Sequence, residues 1–298
     1  MLESGFKSGF VAIVGRTNVG KSTLLNKMVG QKVAIMSDKP QTTRHKIQSA
    51  FTGPDYQVVF IDTPGIHKPK HRLGEHMVKV ALQALREVDV VMLMVEAVRP
   101  GPGDRYILEQ IKQVSGPVML VINKIDLVDR QELILIIDAF QQLHDFAEII
   151  PVSALTGENI GSLTGVITGY LPEGPMYYPA GMVVDRPERF IMAEIIREKV
   201  LHLTTQEVPH SVVVVVEQIE ERTENLLALQ AVIYTERESQ KGILIGKGGR
   251  MLKQVGQLAR EEIEALLGSR IYLELWVKVK KDWRNRENYM KSFGLLDN

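Results

Sequence analysis

The chain has 298 residues, with 36 Lys plus Arg against 36 Asp plus Glu and no cysteine. That length accommodates two domains with separate cores, and the charge balance gives no whole-molecule argument for a nucleic-acid or membrane partner, so any basic face must be local. Without cysteine there are no disulfides or thiolate metal sites, and with neither a signal-peptide pattern nor an apolar run near the ~20 residues that span a bilayer, a soluble cytoplasmic protein is expected.

In chain order, the run "FVAIVG" reads as a buried strand, followed by the glycine-rich "GRTNVGKST" and a helix opening on "LLNKMVG". Next, "RHKIQSAFTGPDYQVVFID" holds two extended runs separated only by Gly53-Pro54-Asp55, too close for a helical crossover, which predicts an antiparallel hairpin. From there the runs "DVVMLMVEA", "PVMLVINKID" and "AEIIPVSA" alternate with amphipathic stretches at 73–88, 103–114, 130–144 and 159–171. Strands alternating with helices of this length predict an α/β domain with a mostly parallel sheet covered on both sides.

The stretch from Gly15 to Ser22 fits G-x-x-x-x-G-K-[ST], a loop between strand and helix whose backbone N–H groups hold phosphate. Asn18, Val19, Gly20, Lys21, Ser22 and Thr23 are the expected phosphate contacts. Lys21 reaches the β- and γ-phosphates, and the Ser22 hydroxyl reaches Mg²⁺. Asp62-Thr63-Pro64-Gly65 closes the strand "VVFI", so Asp62 can approach Mg²⁺ through water and the Gly65 N–H can meet the γ-phosphate. Asn123-Lys124-Ile125-Asp126 closes "VMLVI". The Asp126 carboxylate can accept from the N1–H and exocyclic amine of guanine, and Lys124 can cover the base with its stem. Ser153-Ala154-Leu155 closes the following strand, where a backbone N–H can donate to guanine O6.

On these motifs, over roughly the first 170 residues, the chain resembles the translation-factor-related P-loop GTPases, which implies GTP rather than ATP. The resemblance implies a segment, here "DKPQTTRHK", whose threonine completes the Mg²⁺ shell. Thr43 is the expected residue and Thr42 the alternative, giving Ser22, Thr43 and Asp62 as metal residues. Ile66 stands where Ras-like relatives carry a water-orienting glutamine. Asn18 matches the branch in which that asparagine helps hold a potassium ion against the phosphates. Lys21, Thr43, Gly65 and Asn18 are therefore the expected catalytic set, although Asn18 could equally tie its own loop.

Beyond "LPEGPMYYPAG" the pattern changes, which divides the chain into a GTPase domain at 1–172, a linker at 173–181 and a second domain at 182–298. The second domain reads as a helix at 187–203, strands at 211–222 and 226–238, two helical segments around "ILIGKGGR", a strand at 270–281 and a tail beginning as a short helix. Gly246-Lys247-Gly248-Gly249 would let a sugar–phosphate backbone pass close to the main chain, as in the G-x-x-G loop of a KH module, and the α-β-β-α-α-β order is that of a type II KH fold. Arg250 and Lys253 beside the loop, and Lys278, Lys280 and Lys281 near the end, complete the candidate RNA contacts.

A GTPase domain followed by a type II KH domain resembles the Era-like family of bacterial GTPases, over nearly the whole chain, with "QTTRHKIQ" and "LIGKGGRMLK" as the specific stretches. That resemblance implies binding of the 16S ribosomal RNA 3′ end through the KH domain, a role in 30S subunit maturation, peripheral association with the inner membrane and a monomer. The alternative is a signalling GTPase whose C-terminal domain binds a protein.

Overall fold

A computed structural model of the protein describes residues 5–37, 39, 42–66, 68–69, 71–112 and 114–296. The chain forms two compact units whose main division falls between Asp185 and Arg186, with Ser37, Lys39 and His71–Leu73 grouped with the second. The first contains β1 (Lys7–Gly15), α1 (Lys21–Val29), β2 (Ile47–Thr52), β3 (Tyr56–Asp62), α2 (Arg72–Ala84), β4 (Val90–Glu96), α3 (Pro102–Ile111), β5 (Val118–Asn123), α4 (Arg130–Gln141), β6 (Glu148–Val152) and α5 (Ile160–Tyr170). Its six strands lie in the order β2-β3-β1-β4-β5-β6. Only the β2–β3 pair is antiparallel, turning at Gly53 where the Gly53 N–H donates to the Tyr56 carbonyl at 2.8 Å, as the sequence predicts.

Covering both faces explains the unbroken apolar runs. In β4, no residue from Val90 to Val95 is more than 1% exposed. In α2, Leu73, Met77 and Ala81 repeat at helical spacing and are buried, as is Leu85 just beyond the helix. Burying each large aliphatic side chain contributes ~1.5–3 kcal/mol, enough for this layer to fix the strand ends that carry the motifs.

The segment expected as a linker is tied to the first unit. The Ser8 N–H donates to the Pro172 carbonyl and the Gly174 N–H to the Phe6 carbonyl, each at 3.0 Å. Gln57, fully buried in β3, accepts at Oε1 from the Tyr177 and Tyr178 N–H groups at 2.8 and 3.0 Å and donates from Nε2 to the Tyr178 carbonyl at 2.8 Å. Along β2, the Ala50 N–H donates to the Val183 carbonyl and the Asp185 N–H to the Gln48 carbonyl, each at 3.0 Å. Residues 172–185 thus cap the open edge of β2, and the observed division lies four residues beyond the 181/182 boundary read from composition.

The second unit contains α6 (Glu188–Leu203), α7 (Val208–Ser211), β7 (Val213–Thr223), β8 (Leu226–Thr235), α8 (Glu238–Ile245), α9 (Arg250–Leu267), β9 (Arg270–Val279) and α10 (Glu287–Ser292). The expected α-β-β-α-α-β order holds, with α7 and α10 as short additions. The sheet runs β7-β8-β9, with β7–β8 antiparallel and β8–β9 parallel. Met192, Ile196 and Val200 of α6 and Val255, Ala259 and Ile263 of α9 pack on one face of it, each set repeating every fourth residue. The tail is anchored by Trp283, which is fully buried and donates from Nε1 to the Ser211 carbonyl at 2.9 Å. Among the described residues, no helix is long and apolar enough to cross a membrane.

Candidate functional site

The phosphate loop joins β1 to α1 and can approach its neighbours only because it lacks side chains at two points. A Cβ on Gly15 would strike the Met94 carbonyl oxygen, and one on Gly20, at φ +102°, would strike the Asn123 amide. Lys21, the first residue of α1, turns back beneath the loop and donates to the Gly15 and Arg16 carbonyls at 3.3 and 2.8 Å. Burial pushes its ammonium down to about 8, partly opposed by Asp62.

Ser22 and Asp62 meet Thr43 at the end of β3. The Ser22 and Thr43 hydroxyls lie 3.1 Å apart, and they donate to Asp62 Oδ2 at 3.3 and 3.2 Å. Burial raises the Asp62 carboxyl to about 6, against the lowering effects of Lys21 and these hydroxyl donors. Asp62 Oδ1 is buried with no hydrogen-bond partner among the described residues. Two hydroxyls and a carboxylate with a spare oxygen suit a hard cation that completes its shell with phosphate and water, as Mg²⁺ does. Among the described residues, no group of three or more His, Cys, Asp or Glu could hold a metal. Of the two threonines, it is Thr43 that joins this cluster. Asp38, Pro40 and Gln41 of the same segment lie outside the described residues.

Gly65 is pressed against the phosphate loop. A Cβ there would lie 2.8 Å from Thr17 Cγ2, and the next N–H, of Ile66, donates to the Gly15 carbonyl at 3.2 Å. The Ile66 side chain is buried in the core with Ala12 and Val14, so it turns away from the loop. Asn18 is exposed on the loop at φ +68°, and Val19 is fully buried. Thr23 lies half-buried in the first turn of α1.

The base-reading motifs close on one side chain. The Asn123 amide donates to the Val19 carbonyl at 2.8 Å and accepts from the Ala154 N–H at 2.9 Å, so it ties the phosphate loop to the end of β6. Lys124 adopts φ +68°, starting a 3₁₀ turn (Ile125–Leu127) that presents Asp126 to solvent. In the Ser153–Leu155 segment, the Ser153 N–H donates to the Glu158 carbonyl and the Ala154 N–H to Asn123. That leaves the N–H of Leu155, a residue 77% exposed, as the donor facing outward among the three. Sequence reasoning missed a second layer here. Lys124 Nζ donates to Glu96 Oε1, Glu96 Oε2 lies 3.7 Å from Arg16 Nη2, and Arg16 Nε lies 2.8 Å from Asp104 Oδ1. The available signal was the position of Glu96 at the carboxyl end of a parallel strand, where α/β sites assemble.

In the second unit, Lys247–Gly249 form a 3₁₀ turn between α8 and α9. Gly246 at φ +70° sits tightly over Met251, its built Cβ 2.8 Å from that of Met251. Gly248 and Gly249, at φ +63° and +78°, have nothing within 4 Å of a built Cβ. The loop therefore exposes bare main chain, with exposed Lys247, Arg250 and Lys253 beside it. Lys278 and Lys280 are engaged elsewhere. Lys278 Nζ is 3.7 Å from Glu217 Oε1, and Lys280 Nζ lies 5.3 Å from the Tyr289 ring centroid. Lys281 is exposed just after β9.

Comparison with known proteins identifies the family of each unit. Residues 10–124 match the family described as 50S ribosome-binding GTPase, and residues 207–284 match the KH domain. GTPase Era of Alkaliphilus oremlandii is 56% identical over 291 residues, covering 97% of this chain and 99% of that protein. An Era variant from Aquifex aeolicus bound to GDP·AlF4⁻ superposes with a TM-score of 0.94 at 44% identity, over 98% of this chain and all of that one. Era bound to MgGDPNP and nucleotides 1506–1542 of 16S ribosomal RNA superposes with a TM-score of 0.95 at 44% identity and the same coverage. With a P-loop GTPase unit and a KH unit in this order and near-complete coverage in both sequence and structure, the chain belongs to the GTPase Era family.

Proposed function

We propose that this GTPase, whose ligands are GTP, GDP and Mg²⁺, uses its nucleotide state to control binding of the 3′ end of 16S ribosomal RNA during 30S subunit assembly. The observation that carries the RNA reading is the open backbone at Gly248 and Gly249, flanked by Lys247, Arg250 and Lys253. Supporting it, a relative 44% identical over 98% of this chain is bound to nucleotides 1506–1542 of that RNA. In anisotropy titrations, an oligoribonucleotide of those nucleotides is expected to bind with an affinity that falls steeply as salt rises. Absence of binding would instead favour the signalling GTPase with a protein partner. By the same resemblance we place the protein in the cytoplasm as a monomer with peripheral contact to the inner membrane, testable by flotation with inner-membrane vesicles.

In the nucleotide site, Lys21 contacts the β- and γ-phosphates, the Gly65 N–H meets the γ-phosphate, and Ser22, Thr43 and, through water, Asp62 hold Mg²⁺. When bound, Mg²⁺ supplies charge neutralisation across the phosphate oxygens. Asp126 reads the guanine edge, Lys124 covers the base, Asn123 positions both segments, and the Leu155 N–H donates to O6. No side chain at position 66 can orient water, since Ile66 is buried and apolar. We assign to Asn18 a part in holding a potassium ion against the phosphates, where the ion would offset developing charge as an arginine finger does, without replacing the water-orienting side chain. Single-turnover hydrolysis is then expected to run faster in K⁺ than in Na⁺, and Asn18→Ala should erase the difference. Equal wild-type rates in the two salts would overturn the assignment.

A further inference from the structure

We infer that Glu96 is a positioning residue for the nucleotide, tying the base-covering Lys124 to the phosphate loop through Arg16. The inference rests on the reading of Lys124 as the residue that covers the base. One carboxylate, at the end of β4, serves both nucleotide motifs, because Oε1 accepts from Lys124 Nζ and Oε2 faces Arg16 Nη2 at 3.7 Å. The same Arg16 guanidinium meets a second carboxylate. Its Nε lies 2.8 Å from Oδ1 of Asp104, a carboxylate 1% exposed whose Oδ2 accepts from the Gly101 N–H at 2.9 Å and so caps α3. Gly103 clears the path for this side chain, since a Cβ there would lie 2.7 Å from Arg16 Cδ.

An isolated surface ion pair contributes little, because holding two long side chains in one geometry costs as much entropy as the attraction returns. This arrangement differs on that point. Arg16 is held near a buried carboxylate by charge alone, its Nε and Asp104 Oδ1 being 2.8 Å apart without hydrogen-bond alignment, and Lys124 starts from a backbone held at φ +68°. Asn123 fixes that strand end through the Val19 carbonyl and the Ala154 N–H. Glu96 then restrains the long, flexible stem of Lys124 through its ammonium. Restraining it before the nucleotide arrives removes an ordering cost from binding. Because the restraint acts on a group over the face of the base, it should be indifferent to which edge groups the base carries.

The test is nucleotide affinity and steady-state kinetics of Glu96→Ala, Glu96→Gln, Arg16→Ala and the Arg16→Ala/Glu96→Ala pair. Glu96→Ala is expected to weaken GDP and GTP about tenfold each, raising KM while kcat moves less than twofold. The ratio of GDP to IDP affinity should stay constant, since inosine differs only at the base edge. Glu96→Gln should recover part of the loss by keeping an acceptor for Lys124. Adding Arg16→Ala to Glu96→Ala should cost nothing further, because both act through one chain of contacts. The melting temperature of the nucleotide-free variants should match wild type. Affinity within twofold of wild type in Glu96→Ala, additive losses in the pair, or a loss accompanied by a lowered melting temperature would each overturn the proposal. Asp126→Asn measured in parallel separates the two levels. If it switches base preference while Glu96→Ala binds normally, only the role of Glu96 fails; if it keeps GTP preference, the base-site reading fails.

Discussion

Asp126→Asn is expected to turn the protein from a guanine to a xanthine nucleotide binder. The carboxylate stands exposed on the Ile125–Leu127 turn, with both oxygens available for the N1–H and the exocyclic amine of guanine. Hydrogen bonds to a charged group contribute roughly 1.5–3 kcal/mol each; the Asn amide keeps an acceptor for the N1–H but turns a donor toward the guanine amine, so losing that one bond lowers GTP affinity by about 10–10²-fold. Xanthine carries a carbonyl where guanine has the amine, and the new amide can donate to it, so XTP affinity should rise as GTP affinity falls. Because the side chain is exposed, the stability of the nucleotide-free protein should change by no more than ~0.5 kcal/mol. Titration with fluorescent GTP and XTP analogues gives both affinities. Full GTP preference in the variant would remove Asp126 from the base site.

The second large effect concerns the RNA loop. Gly248 lies at φ +63° with open space where a side chain would go, so Gly248→Asp meets no clash and costs ~1–2 kcal/mol for the left-handed backbone. The fold should survive, while a carboxylate now occupies the path of the phosphate backbone. RNA affinity should fall at least ~100-fold, as repulsion replaces a close approach, while GTP and GDP affinities remain as in wild type. Unchanged RNA binding would place the contact elsewhere in the second unit. If nucleotide state gates this surface in the wild-type protein, RNA affinity differs between the GTP-analogue and GDP forms, and RNA shifts the ratio of the two nucleotide affinities by the same factor. A ratio of one in both directions would leave the KH unit as a tether that delivers the GTPase.

The phosphate loop, Asp62–Gly65, Asn123–Asp126 and Ser153–Leu155 were legible because each is a short run at a strand's carboxyl end, where strand direction alone fixes what the residues face. The β2–β3 hairpin was equally legible, since Gly53-Pro54-Asp55 leaves no room for a crossover. The choice between Thr42 and Thr43 was not, because two adjacent threonines differ only in the side of the backbone they leave from; Thr43 is the one whose hydroxyl meets Ser22 and Asp62. Nor could local composition reveal the Arg16–Glu96–Lys124 chain, whose partners come from the phosphate loop, the end of β4 and the turn after β5. Residues 171–181 read as a free linker because Pro, Gly and Tyr set no period. Their order comes from Gln57, more than a hundred residues earlier in the chain. A polar side chain within an apolar strand was the sole trace of that contact.

The Gln57 clasp sets how far the chain can wander before its second unit begins. Left free, the stretch from Pro172 to Asp185 would act as a floppy leash with a root-mean-square reach of ~20 Å. Stitched along β1, β2 and β3, it has almost no reach of its own, and the chain departs from a fixed point on the β2 edge. That edge follows Thr43 by only a few residues, so the launching point is anchored to the strand that the Mg²⁺-facing segment leads into. The point at which the chain leaves the GTPase unit is thus set by hydrogen bonds made wholly within that unit.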